Sequence, residues 1–314
     1  MRGFTGHENH PTPAEIDDLF NNEDPNIVWD KAVGIIRRMS PDYDFTLVRS
    51  VFEDILRLFR GDYSGYGSIK TPYHDLPHTL EVLLCGVRLM HGVHVSGDRL
   101  SDDEITLIVL AIMMHDVGYA QRKSEERGTG AQHTQMHVHR GIEFMRQYFS
   151  DHGLPPAIPV AVTAMILGTE HNRPFAQICF SDDRSRMLAS IVATADITGQ
   201  MADRIYLEKL MFLYLEFREA NLGSYHSMYD LLCQTNRFYE TIREKLDGAL
   251  GGIYRKLEFH FKDTLGVGNN YYLESIEKNM AYLAKVIAHD EAELFTMLKR
   301  NGVAEKSRSI AKLS

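Results

Sequence analysis

DEITLIVLAIMMHD, residues 103–116, is the stretch on which the reading of this chain turns. Its apolar residues repeat at three- and four-residue intervals, the spacing of a helix. Ser101 precedes it and Glu104 follows three places on, the pattern of an N-terminal capping box. The run ends on His115-Asp116. An imidazole beside a carboxylate at the end of a buried helix is costly unless both find partners. A divalent ion satisfies both, because neutral imidazole nitrogen and carboxylate oxygen each ligate it.

Outward from this segment, helical spacing continues in both directions. Upstream lie IVWDKAVGIIRRM (27–39), FTLVRSVFEDILRLFRG (45–61) and HTLEVLLCGVRLMHG (78–92). Downstream lie GIEFMRQYFSDHG (141–153), PVAVTAMILGTEH (159–171), RSRMLASIVATADITGQMADR (184–204), LEKLMFLYLEFREAN (207–221), MYDLLCQTNRFYETIREKLD (228–247) and IYRKLEFHFKDTL (253–265). No alternating strand pattern and no internal repeat interrupts them. The expected fold class is all-α, a bundle of roughly ten or more helices. Residues 1–25 read as a loosely ordered lead-in, 26–250 as the main helical domain, and 251–314 as C-terminal helices packed on or extending it. The polar loop QRKSEERGTGAQH (121–133) lies between two strong helices, a placement typical of loops that border a site.

Composition narrows the function classes. The net charge of −9 argues against a nucleic-acid polymer as partner, because phosphate contacts need Lys and Arg. Three scattered cysteines without a CxxC form no disulfide framework and fit a reducing, cytoplasmic setting. Cys85 and Cys179 lie in apolar stretches and are expected to be buried. No apolar run reaches the length of a membrane helix, so no membrane partner is expected, and homo-oligomerisation is left open.

The histidines matter through their placement. Tyr73-His74-Asp75-Leu76-Pro77-His78 sets two imidazoles four residues apart, able to face the same way. Asp196 lies inside the apolar segment SIVATADITGQ, where a carboxylate needs a partner. Taken singly, each residue is as well explained by an ordinary satisfied core or surface position. The ordered series HxxxH, His-Asp, buried Asp in an all-helical chain is far more specific.

That series resembles the HD superfamily of metal-dependent phosphohydrolases. Tyr73-His74-Asp75-Leu76-Pro77-His78-Thr79-Leu80-Glu81-Val82 is similar to the YHNxxHAxDV element of cyclic-nucleotide phosphodiesterases, and Ala195-Asp196-Ile197 to their late ADLS element. The likeness spans about residues 45–245. It implies an HD-domain bundle in which His78, His115, Asp116 and Asp196 ligate metal and Asp116 bridges two ions. His74 then becomes the general acid. His137, four residues before Gly141, matches the spacing of a further histidine element, and with His171 it completes a second metal site. His133 and His139 read as solvated residues. Gln234 and Phe238 are the nearest counterparts of the residues that grip a nucleotide base, at a spacing one residue longer. The implied cofactors are two divalent ions, Mn, Fe, Zn or Mg. The implied reaction is hydrolysis of a small phosphate ester, a cyclic nucleotide or another nucleotide phosphodiester, by metal-activated hydroxide. The six-residue series also suits HD-fold di-iron oxygenases, and a degenerate site would suit a non-catalytic sensory or scaffold protein.

Overall fold

The computed structural model describes residues 12, 16, 19, 20, 24–223, 225–303, 305–307 and 310. Most of the expected lead-in over 1–25 lies outside these residues. Its described Leu19 and Phe20 pack on the bundle: the Leu19 carbonyl accepts from Arg88 at 2.9 Å, and the Phe20 ring stands 5.1 Å from Tyr272.

The chain folds as α1 (Pro25–Met39), α2 (Thr46–Arg60), α3 (Leu76–Val95), α4 (Asp102–Met114), α5 (His137–Asp151), α6 (Ala157–Leu167), α7 (Asp183–Ala202), α8 (Tyr206–Glu219), α9 (Met228–Asp247), α10 (Leu257–Leu265), α11 (Tyr271–Val286) and the short α12 (Leu294–Met297). Short 3-10 turns connect several of them. The described residues contain no strand, only an isolated bridge between Tyr66 and Arg122. None of the described helices is long and apolar enough to cross a membrane.

Two helices run through the middle. α3 and α7 are buried along most of their length and pack against each other. Gly199 permits this contact, since a Cβ there would crowd the Glu81 carbonyl at 3.3 Å; Gly86 instead makes room for α4, because a Cβ on it would meet Ile112 Cδ1 at 2.2 Å. α4 and α6 pack against each other and both lie along α7, while α1 and α10 cover α3 and α11 covers α7. Leu257, Phe261, Tyr272 and Leu283 from residues beyond 250 share the hydrophobic core with the earlier helices. Burial of this kind contributes roughly 1.5–3 kcal/mol per large apolar side chain.

Local chemistry sets the helix starts. The Ser101 capping box forms as expected, with the Glu104 N–H donating to Ser101 Oγ and the Ser101 N–H to Glu104 Oε2. Asp75 caps α3 by accepting from the His78 N–H at 2.9 Å. Asp182 and Ser185 form a second capping box at α7. Cys85 is buried as expected; Cys179 is not, because it lies in the connection before α7 and is exposed there.

Away from the expected site, His91 and His260 face each other Nδ1 to Nδ1 at 3.1 Å, so one donates and the other accepts. Burial, helped by Arg88, His91 and Arg38, pushes His260 down to about 2. The folded state therefore binds fewer protons here than the unfolded state, whose imidazole titrates near 6.5. Stability from this group is intact above that pH and declines as pH falls below it, by about 1.4 kcal/mol per pH unit. Denaturant unfolding at pH 7.5 and 5.5 is expected to show this loss in the wild type and a smaller one in His260→Gln. Equal losses in the two proteins would refute the assignment.

Candidate metal centre

Three helices deliver the central residues. His78 is the third residue of α3, His115 and Asp116 follow the last turn of α4, and Asp196 projects from α7. The ligating atoms of His78, His115 and Asp116 all lie within 4.8 Å of one another, and all three residues are buried. Asp116 Oδ2 is 3.3 Å from His78 Nε2 and 3.1 Å from His115 Nε2. Asp196 Oδ1 stands beside the group, 3.4 Å from His78 Nε2 and 3.7 Å from His115 Nε2. The other oxygen of Asp116, Oδ1, faces His137 Nε2 at 3.4 Å. One carboxylate thus presents its two oxygens to two imidazole groups, the disposition of a bridge.

Outer contacts aim the rings. His115 Nδ1 is 2.7 Å from the Ile112 carbonyl and His137 Nδ1 is 2.6 Å from the Thr134 carbonyl. A ring that donates from Nδ1 keeps an Nε2 lone pair for the centre. The backbone beneath is glycine-lined. A Cβ on Gly118 would fall 1.8 Å from the His137 carbonyl oxygen, so any larger residue would push the start of α5 away from Asp116.

The imidazoles and carboxylates of this group set one another's ionisation. Burial by itself would drive His78, His115, Asp116 and Asp196 to their neutral forms. Against it, the carboxylates push His78 up to about 10 and hold His115 above its ordinary range. Burial likewise opposes ionisation of Asp116 and Asp196, but the imidazoles hold Asp116 well below the usual carboxylate range and Asp196 below it. Asp116 Oδ2 is buried without a hydrogen-bond partner. A divalent ion suits that oxygen and the nitrogen-and-oxygen donor set, and imidazole-rich sets favour transition metals over Mg²⁺. Protons would compete with the ion for these groups.

His74 is held apart from this group. It precedes α3, its carbonyl accepts from Thr71 Oγ1 at 2.6 Å, and its Nδ1 lies 2.5 Å from Glu216 Oε2. Glu216 Oε1 accepts from the backbone N–H groups of Tyr73 and His74, at 2.6 and 3.1 Å. Burial disfavours charge on His74, but Glu216 outweighs it and the imidazole stays above its ordinary range. Tyr119 stacks with both His74 and His137, each ring pair 4.7 Å apart, and the two imidazoles stand 6.0 Å from each other.

These residues open on a cavity of about 450 Å³. His171 lines it, in the turn after α6 rather than in the helix, with its ring 5.2 Å from Phe238. His171 is not within ion-pair distance of Asp116 or Asp196; its place is on the wall. His139 points elsewhere, 3.7 Å from Glu170. Gln234 and Phe238 both line the cavity from α9, and the Gln234 amide donates to Asp230 Oδ1 at 3.0 Å. Thr134 and Gln135, just past the polar loop, line the same space. Glu219 accepts from the Thr129 N–H at 2.9 Å and Oγ1 at 2.8 Å, tying that loop to the end of α8.

Sequence reasoning passed over Glu216, Tyr119 and Gln200. Glu216 is a fully buried acid inside the apolar segment 207–221, the same signal that marked Asp196. Gln200 follows Asp196 by one helical turn and accepts at Oε1 from Tyr73 Oη at 2.5 Å, but nothing in its sequence context marks it. Over residues 123–253, less than half of its length, the chain is similar to the family described as Npun_R2479-like. No curated protein and no solved structure matches it.

Proposed function

We propose that this chain is a metal-dependent phosphohydrolase of the HD type, hydrolysing a small phosphate ester such as a nucleotide phosphodiester. One observation carries the reading. A two-sided buried carboxylate, Asp116, lies amid His78, His115, His137 and Asp196, while a second kind of imidazole, His74, is held off it by Glu216.

His78, His115, Asp116 and Asp196 would hold the first ion, and Asp116 with His137 a second. Bound there, a divalent pair supplies Lewis acidity and lowers the pKa of water for attack on phosphorus. The protein's own part is placement and proton transfer. Glu216 favours the protonated form of His74, which faces the cavity, and in that form its Nε2 would donate to the departing alkoxide oxygen. Tyr119 fixes the ring plane of His74 against that of His137.

The deciding experiment is elemental analysis of the purified protein, then assay of bis(p-nitrophenyl) phosphate and 3′,5′-cyclic nucleotides with Mn²⁺, Fe²⁺, Zn²⁺ and Mg²⁺. Turnover that a chelator abolishes and added metal restores is the expected result. A metal-free protein inert with every ion would sink the proposal. His137 and His171 on one cavity also suit a di-iron oxygenase; O₂ uptake accompanied by an iron EPR signal, with no anaerobic hydrolysis, would favour that reading.

A further expected result separates the two extra histidines. His137→Ala should lower bound metal by roughly one ion per chain, since Asp116 Oδ1 loses its only imidazole neighbour. His171→Ala should leave metal content unchanged, as its ring is engaged with Phe238. Metal loss of equal size in both variants would place His171 in the coordination sphere.

A further inference from the structure

The cavity also carries a cation that the metal centre does not use. Lys245 lies near the end of α9, on the face that presents Leu231, Gln234, Phe238 and Ile242 to the cavity. It is the only Lys or Arg among the described residues that line this space. No hydrogen bond or ion pair with a described residue holds its ammonium, although it is partly buried. The acids nearby are otherwise engaged. Glu170, on the same lining, is paired with Arg173 at 2.5 Å, and Asp116 belongs to the His–Asp centre. Asp196 is the carboxylate whose charge reaches Lys245 across the cavity. Once Asp196 and Asp116 hold cations, Lys245 faces no net negative charge. The side of the cavity formed by α8 and the segment after it is apolar and aromatic, with Tyr206, Leu210, Leu213, Phe217, Leu222 and Tyr225.

We propose that Lys245 is an anion anchor, which selects ligands with an apolar or aromatic body and a carboxylate or phosphate separate from the group at the His–Asp centre. A partly buried ammonium recovers its desolvation cost only with an anion supplied by the ligand. The aromatic wall would hold the body between the two charged ends. The inference deepens the phosphohydrolase reading and rests on it for the loaded state of the centre.

The test uses the purified protein with its metal content measured, and two isosteric ligands, naphthalene-2-carboxylate and naphthalene-2-carboxamide, in calorimetric titrations. The carboxylate is expected to bind at least about tenfold more tightly, the usual worth of a hydrogen-bonded charge. Lys245→Met should bring the two affinities within about twofold by weakening only the carboxylate, and Lys245→Arg should restore the preference. A preference that persists in Lys245→Met places the anion at the metal centre and overturns the proposal. So does a wild type with no preference, or one that binds neither ligand. Loss of carboxamide binding in both variants would mark a structural role and overturn it too. Phenyl phosphate titrated into Lys245→Met, which lacks the anchor, with and without metal tests the other reading separately. If its binding to that variant ignores metal while the wild type keeps the carboxylate preference, the phosphohydrolase reading falls and the anchor stands.

Discussion

Asp116→Ala is expected to emerge from purification almost free of metal. Its Oδ2 lies 3.1–3.3 Å from two imidazole nitrogens and its Oδ1 3.4 Å from a third. On the proposed reading, removing it would take a donor from both ions and the negative charge that offsets them. Loss of an outer-shell partner alone typically weakens metal binding by about 10–100-fold, and loss of the bridging ligand should exceed that. The apo fold should survive, because the change deletes a buried carboxylate with an unsatisfied oxygen rather than stranding one. Elemental analysis gives the direct readout. Thermal unfolding with and without chelator gives the second: chelator should lower the wild-type midpoint and leave the variant unmoved. A variant that retains full metal would show that Asp116 is a structural acid.

His74→Ala should separate chemistry from metal content. Metal should stay at wild-type level, since Nδ1 is taken by Glu216 and the ring stands outside the tight donor group. Hydrolysis of an alkyl ester should slow by roughly 10²–10⁴-fold, the usual contribution of a general acid. The loss should shrink for a p-nitrophenyl ester, whose leaving group departs without a proton. Glu216→Gln should share the pattern more mildly and shift the pH profile. In the wild type Glu216 raises the pKa of His74, so the acid form persists to higher pH; in Glu216→Gln the falling limb should move to lower pH. Equal losses for both ester classes, or a profile that does not move, would leave His74 with a binding or structural role instead.

The sequence's strength lay in periodic patterns. The Ser101 box, the apolar run of α4 and the three- and four-residue spacings mark helices because local hydrogen bonding and one-sided burial are written into neighbouring residues. His78, His115, Asp116 and Asp196 were legible because polar groups at the edges of apolar runs need partners. Cys179 misled for a related reason: an apolar neighbourhood in sequence does not guarantee a covered position in a connecting segment.

By itself, then, the chain's sequence determined an all-helical bundle and a short set of residues that require compensation. Only the tertiary structure decided who compensates whom. His137 rather than His139 meets Asp116 because Gly118 lets the start of α5 press on the turn after α4, a contact between segments with no shared periodicity. Glu216 reaches His74 from more than 140 positions away, and Lys245 enters the cavity from the far end of α9. Such pairings depend on how helix axes cross, which is set by side-chain volume and close backbone approach across the core, and no local window of sequence records that.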